Sequence, residues 1–225
     1  LAPGTYGHSV AVANLAESAC REIGANPLLA RVGAYYHDIG KIDQAEYFVE
    51  NQTDENKHNE LKPSLSVAVI KSHVKIGVEK GKELGLPPEV LQIISQHHGS
   101  GLISYFYAQA KKDKGKAVSP EDFSYTGIPP VSKEAAVVML ADGVEAAART
   151  LRKPNVAKLE RFVWERIQER FSSQQMSNCE LTFRDLEIIK GSFVHILAGH
   201  FHSRIEYPDI EEVNGKSTKE GRAKS

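Results

Sequence analysis

The 225-residue sequence predicts an all-α fold: a single-domain helical bundle over residues 1–208, followed by a polar tail at 209–225 that reads as frayed. Two observations predict it. Apolar residues recur at helical spacing through most segments. Those segments open on Asn, Ser or Pro and close on Gly, the punctuation of helix ends.

Taken in order, "HSVAVANLAESACREIG" has the helical period and stops at Gly24. "NPLLARVGAYYHDIG" starts with Asn26 as N-cap and Pro27 at the first helical position, and ends at Gly40. "KPSLSVAVIKSHVKIGVEKGKELG" reads as a short helix followed by a longer one, stopped by Gly85 and Pro87. "PPEVLQIISQHHG" and "LISYFYAQAKKDKG" follow as two more. Residues 115–130, rich in Pro, Ser and Gly, read as a loop. "SKEAAVVMLADGVEAAARTL" has the strongest helical pattern of all, and "NVAKLERFVWERIQERF" and "TFRDLEIIKGSFVHILAGHFHSRI" complete the bundle. Strands are expected to be absent or trivial.

Apolar residues make up 41% and charged residues 25% of the chain, ordinary for a globular protein with one sizeable core. A net charge of −1 argues against a general grip on duplex nucleic acid, which needs a basic surface. A small anionic substrate needs only a few local cations or metals, so that class stays open. No run of eighteen apolar residues marks a membrane span, and the opening "LAPGTYGHS" suggests an excised domain. Cys20 and Cys179 lie away from other soft ligands and read as packing residues in a reducing compartment.

Chemistry is concentrated in the histidines. His8, His37, His73, His97 and His98 stand on or at the ends of apolar helical segments, where burying them together with carboxylates would be costly without a cation. Asp142 sits among residues that should face the core, as a metal ligand or as one half of a salt bridge. His37 and Asp38 are adjacent, so in a regular helix they point about 100° apart. At a helix end the backbone loosens, and a carboxylate has two oxygens. Asp38 can then bridge two ions while His37 binds one of them. Two ions about 3.5–4 Å apart are a recurring arrangement for displacement at phosphorus.

The ordered set His8, His37-Asp38 and Asp142 resembles the HD-domain metal phosphohydrolases, and His73 with His97-His98 resembles the subgroup carrying a second metal. "PGTYGHSVAVANLAE", "YYHDIGK", "YFVENQ", "SHVKIGVE", "QHHG", "ADGVEAAAR" and "RIEYP" look most like the cytoplasmic HD domain of seven-transmembrane-receptor-type cyclic-di-AMP phosphodiesterases. The likeness runs from Pro3 to Pro208. It implies a hydrolase that opens a cyclic dinucleotide, cyclic di-AMP to linear pApA, by a hydroxide activated between two divalent metal ions, iron or manganese. His8, His37, Asp38 and Asp142 would hold one ion, and Asp38, His73, His97 and His98 the other. The same likeness implies the cytoplasmic part of an integral membrane protein, with the membrane reached only through an N-terminal region outside this sequence, and leaves a homodimer open.

Lys41 reads as a phosphate contact or as a solvated helix-end lysine. Arg149, on the face of Asp142, reads as a contact to a second phosphate or as a surface ion pair. Asn51 reads as a base or ribose contact or as a turn cap. Tyr105, Phe106 and Tyr107 could stack on a base but at helical spacing read as core. His58 reads as exposed or as support for the ligands, and His195, His200 and His202 as decoration of the last helix.

Two departures from the family stand out. Gly7 replaces the first histidine of a pair, and Gln44-Ala45 replaces an Arg-Pro, removing a cation near the expected site. "HHGSGLISYFY" lacks the Gly-Tyr-Pro of the related cyclic-di-GMP class. The alternatives are an HD-type nucleotide or alarmone phosphohydrolase and, from another class, a non-catalytic nucleotide-sensing domain.

Overall fold

The computed structural model describes residues 2–52, 56–114, 118–152 and 154–202. These form eight α-helices: α1 (Pro3–Glu22), α2 (Pro27–Tyr36), α3 (Pro63–Glu83), α4 (Pro88–Gln96), α5 (Ser104–Lys114), α6 (Lys133–Ala148), α7 (Val156–Ser172) and α8 (Phe183–His202). Among the described residues, extended pairing is limited to one isolated bridge, Leu102 with Ser124. The expected tail at 209–225 and the "RIEYP" stretch lie outside the described residues.

The helix ends follow the expected chemistry. Asn26, Ser132 and Asn155 each accept a backbone N–H of their own first turn, from Leu29, Ala135 and Lys158. Gly24 and Gly85 take the left-handed conformation, φ +70° and +68°, just past α1 and α3. Several boundaries differ from the reading above. The first helix begins at Pro3, five residues before His8, because proline at the first turn needs no donor there. The second helix ends at Tyr36, four residues before Gly40, and a 3₁₀ stretch begins at Ile39. The third is one helix and not a short one followed by a longer one: its only proline stands at the first turn. Gly77 and Gly81 inside it let α4 approach, since a Cβ on either would lie 3.0 Å from Ile94 and 2.6 Å from Leu91 side-chain carbons.

The main core lies where α1 and α6 meet α2, α4, α7 and α8. Residues 135–142 of α6 are all buried, so this helix is the axis of the bundle. Asp142 is therefore carried on the most enclosed element in the molecule. A smaller cluster, Val67, Phe106, Ala110 and Phe123, packs α3 against α5 beside it. Between α2 and α3 the chain runs in 3₁₀ turns, Ile39–Tyr47, Val49–Asn51 and Lys57–Glu60, which bend it across the open end of the bundle.

Candidate metal centre

Five elements bring the predicted histidines and aspartates together. His8 comes from α1, His73 from α3 and Asp142 from α6, while His37-Asp38 and His97-His98 stand just past the ends of α2 and α4. His37, Asp38, His73 and His97 are at most 1% exposed, and His8 and Asp142 are 3% and 7% exposed. That placement follows from local structure. Gly40 directly behind the His37-Asp38 pair presses on α3; a Cβ there would sit 1.9 Å from the His73 carbonyl oxygen. Gly99, with φ +52°, turns the chain after His98, and Gln175 Oε1 accepts the Ser100 N–H at 2.9 Å to hold that turn.

Three imidazoles share one tether. Nδ1 of His37, His73 and His97 meets the carbonyl three residues earlier, Ala34, Ile70 and Ile94, at 2.6, 2.5 and 2.7 Å. A carbonyl only accepts, so each Nδ1 carries the hydrogen and each Nε2 presents a lone pair to the centre. His8 is the exception: its Nδ1 donates to the Glu145 carboxylate, and its Nε2 lies 3.0 Å from Asp142 Oδ1.

The carboxylates divide the centre. Asp38 Oδ2 is 3.2 Å from His37 Nε2 and 3.6 Å from His8 Nε2. Its Oδ1 faces the other way, 3.4 Å from His73 Nε2 and 3.7 Å from His97 Nε2. Asp142 likewise points Oδ1 at His8 and places Oδ2 3.6 Å from His98 Nδ1. Two groups have ligand atoms within 4.8 Å of one another: His8, His37 and Asp38, and Asp38, His73, His97 and His98.

Electrostatics sort these groups. Burial presses the His73 imidazole down to about 3 and holds His98 well below its ordinary value, so both are neutral donors of lone pairs. Burial opposes charge on His8 too, but hydrogen bonds to Asp142 and Glu145 outweigh it and raise it to about 10. Burial would raise the Asp38 carboxyl; the Lys41 ammonium beside it outweighs burial and keeps it ionised. Asp142 is held low against the same burial, chiefly by its hydrogen bond to His8. Glu145 is lowered in the same way, by His8 and Arg149.

The donor set fits metal ions. His73 Nε2 and His97 Nε2 lie 3.2 Å apart, and with both hydrogens on Nδ1 two lone pairs face each other. His37 Nε2 and Asp38 Oδ1 are buried without a hydrogen bond. Groups so placed need a cation once water is removed. Imidazole and carboxylate without thiolate suits first-row divalent metals.

A cavity of about 630 Å³ opens onto the centre. His8, His73, His98 and Asp142 reach it, as do the aromatic rings of Tyr47, Phe48, Tyr105, Phe106 and Tyr125. Tyr125 stacks on His98 with ring centroids 4.3 Å apart. Of the expected substrate contacts, Lys41 lines the cavity, with Nζ 2.7 Å from Asp38 Oδ2 and 2.9 Å from Glu50 Oε1. Burial works against its charge, and the two carboxylates outweigh it, so Lys41 stays an ammonium above its ordinary value. Arg149 reaches the cavity rim, and its Nε donates to Glu145 at 2.9 and 3.1 Å. Asn51 is turned elsewhere: it accepts the Thr5 N–H and donates to Thr5 Oγ1, tying the start of α1 down. His58 is buried, not exposed, and Nε2 donates to the Tyr47 carbonyl at 2.7 Å. Phe106 is core, whereas Tyr105 is 67% exposed at the cavity mouth. His195 and His200 are on the exposed side of α8. Sequence reading passed over Glu145, Glu50, Tyr125 and Arg170; Glu145 alone had a signal, standing one helical turn after Asp142.

The model of the HD domain family matches residues 5–147, a span containing all seven of these histidine and aspartate residues. The chain belongs to the HD domain family. Among curated relatives of this HD domain, the cyclic-di-AMP phosphodiesterase PgpH of Bacillus subtilis is 48% identical over 208 residues, 92% of this chain. PgpH of Listeria monocytogenes is 44% identical over 212 residues. The chain spans only 29% of the length of each of these relatives. The crystal structure of the L. monocytogenes PgpH HD domain with cyclic-di-AMP superposes with a TM-score of 0.86 at 44% identity, covering 92% of this chain and 95% of that one. The same domain in a second crystal structure gives 0.84 at 43% identity. Among the described residues, no helix of this HD domain is long and apolar enough to cross a membrane.

Proposed function

We propose that this domain is a metal-dependent phosphodiesterase that linearises a cyclic dinucleotide, cyclic di-AMP, with two divalent ions of iron or manganese. The observation that carries the reading is the division of Asp38: one oxygen toward His8 and His37, the other toward His73 and His97. His8, His37, Asp38 and Asp142 would hold one ion; Asp38, His73, His97 and His98 the other. Ions bound there supply Lewis acidity at phosphorus and a water acidic enough to ionise near neutral pH.

The chain's own groups do the rest. The carbonyl tethers keep Nε2 of His37, His73 and His97 aimed inward, so no rotamer search precedes binding. Lys41, held as an ammonium, offsets the negative charge of Asp38 and Glu50 at the cavity wall, which lessens their repulsion of an incoming phosphate. Aromatic rings along the cavity wall offer faces for nucleobases. The likeness to cyclic-di-AMP phosphodiesterases at 44–48% identity, one of them seen with cyclic-di-AMP, supports cyclic di-AMP as substrate. As part of the same reading, the domain is the cytoplasmic portion of a larger membrane protein; fractionating cells that express the full-length protein tests that placement.

The test is turnover by purified protein with Mn²⁺ or Fe²⁺ on cyclic di-AMP, cyclic di-GMP and a mononucleotide panel. The expected product is pApA. Tight binding of cyclic di-AMP without hydrolysis would instead identify a sensor. Metal analysis completes the test: Asp38→Ala should lose both ions, while His8→Ala and His97→Ala should each lose a different one.

A further inference from the structure

Three lysine and arginine side chains line the cavity: Lys41, Arg149 and Arg170. Two of them are already matched by carboxylates, Lys41 by Asp38 and Glu50, and Arg149 by Glu145. Arg170 differs. Among the described residues its half-buried guanidinium has no carboxylate within ion-pair distance and no hydrogen-bond acceptor. It lines the same cavity as Tyr125, His98 and Asp142.

The slot that admits it is built from two glycines beside ligand-bearing segments. Gly143 follows Asp142 directly, and a Cβ on it would lie 3.8 Å from Arg170 Nη2 and 3.9 Å from Nε. Gly101 stands three residues after His98, and a Cβ there would come within 2.8 Å of Nη1. The end of α7 is also fastened. Gln175, 4% exposed, donates its backbone N–H to the Arg170 carbonyl at 3.0 Å and grips Ser100 with its side chain. Arg170 therefore belongs to a helix beyond the matched HD span of residues 5–147, yet it is pinned against the His97-His98 turn.

We infer that Arg170 is the anion subsite of this cavity and binds the second phosphodiester of a cyclic dinucleotide, the one that is not cleaved. The inference rests on the cyclic-dinucleotide reading above. Such a substrate carries two phosphates, and one of them must lie away from the two ligand sets. A guanidinium with five donors and no competing carboxylate suits a phosphodiester held by two parallel hydrogen bonds. Lys41 and Arg149 would first have to leave their carboxylates.

The test separates phosphate number from chemistry. Wild type, Arg170→Gln and Arg170→Lys are loaded with Mn²⁺ and assayed on cyclic di-AMP and on bis(p-nitrophenyl) phosphate, which has one phosphate only. Direct binding of cyclic di-AMP and thermal unfolding are recorded in parallel. Arg170→Gln is expected to weaken cyclic di-AMP binding and raise its KM by about tenfold or more. Its rate on the single-phosphate diester and its unfolding temperature should not change, and Arg170→Lys should recover part of the affinity. Unchanged cyclic di-AMP affinity overturns the inference, and so does an equal loss on both substrates. Wild-type protein that turns over the simple diester but neither binds nor cleaves cyclic di-AMP would bring down the cyclic-dinucleotide reading itself, and this inference with it.

Discussion

Glu145 holds His8 by a carboxylate where the other tethered imidazoles are held by peptide carbonyls. A carboxylate partner raises ligand basicity as well as fixing the ring, and losing one typically weakens metal binding about 10–100-fold. Glu145→Gln should therefore weaken one Mn²⁺ site by that amount and leave the second unchanged, as read by metal-buffer titration. Equal weakening of both sites would mean that Glu145 supports the whole centre. Cys20, far from this chemistry, offers a separate check on the core. Burial and the nearby charge of Glu134 push its thiol from 9.0 up to about 12. The unfolded thiol ionises first as pH rises, so its stabilising contribution is present below pH 9.0 and is lost between pH 9.0 and about 12. Cys20→Ala should make the fall in stability with pH shallower by up to about 1.4 kcal/mol per unit in that window, measured by denaturant melts. Parallel slopes would sink the assignment. At this scale the seven histidine and aspartate residues that the fold gathers were legible because such residues are rare on apolar helical faces. Arg170 was not, because in "ERFVWERIQERF" it is one charge among many on a polar face.

The helices explain why these histidines and aspartates arrive together. Gly40 and Gly7 make opposite predictions from the same substitution. A methyl group on Gly40 would meet the His73 carbonyl at 1.9 Å, and a backbone atom inside α3 cannot step aside. Gly40→Ala should cost about 1–3 kcal/mol and impair metal binding, since it separates Asp38 from His73. Gly7 lies in α1 with nothing within 4 Å of a Cβ, so Gly7→Ala should gain about 0.5–1 kcal/mol. Paired thermal melts check both, and a stabilised Gly40→Ala would contradict the close packing described here. The helix boundaries were largely readable from caps and glycines. What sequence could not supply was that Gly40, taken as a helix stop, serves close approach to α3, because its reason lies 33 residues away in the chain. The continuity of α3 was hidden for a similar cause: its interior glycines look like breaks until Ile94 and Leu91 are seen packed over them.

At the scale of the whole molecule, the centre joins α1, α3 and α6 to the ends of α2 and α4, so an ion bound there ties five elements together. Ligand at about 100 times its Kd stabilises by roughly 2.7 kcal/mol, equivalent to about 5–10 °C in a domain of this size. Stripping metal with a chelator should lower Tm by about that amount and re-addition of Mn²⁺ should restore it; an unmoved Tm would count against a centre of this reach. The fold class needed only periodicity and caps, but the cavity's shape depends on the 3₁₀ turns and on Tyr125, in segments with no period to read. One further consequence belongs to His37 and His97. Their Nδ1 hydrogens satisfy carbonyls in the last turns of α2 and α4, which would otherwise lack partners. Helix termination and ligand aiming are thus the same bond, and it does not involve the nitrogen that faces the centre. Those two helix ends would stay closed whether or not an ion were bound, so a metal would meet a socket already formed.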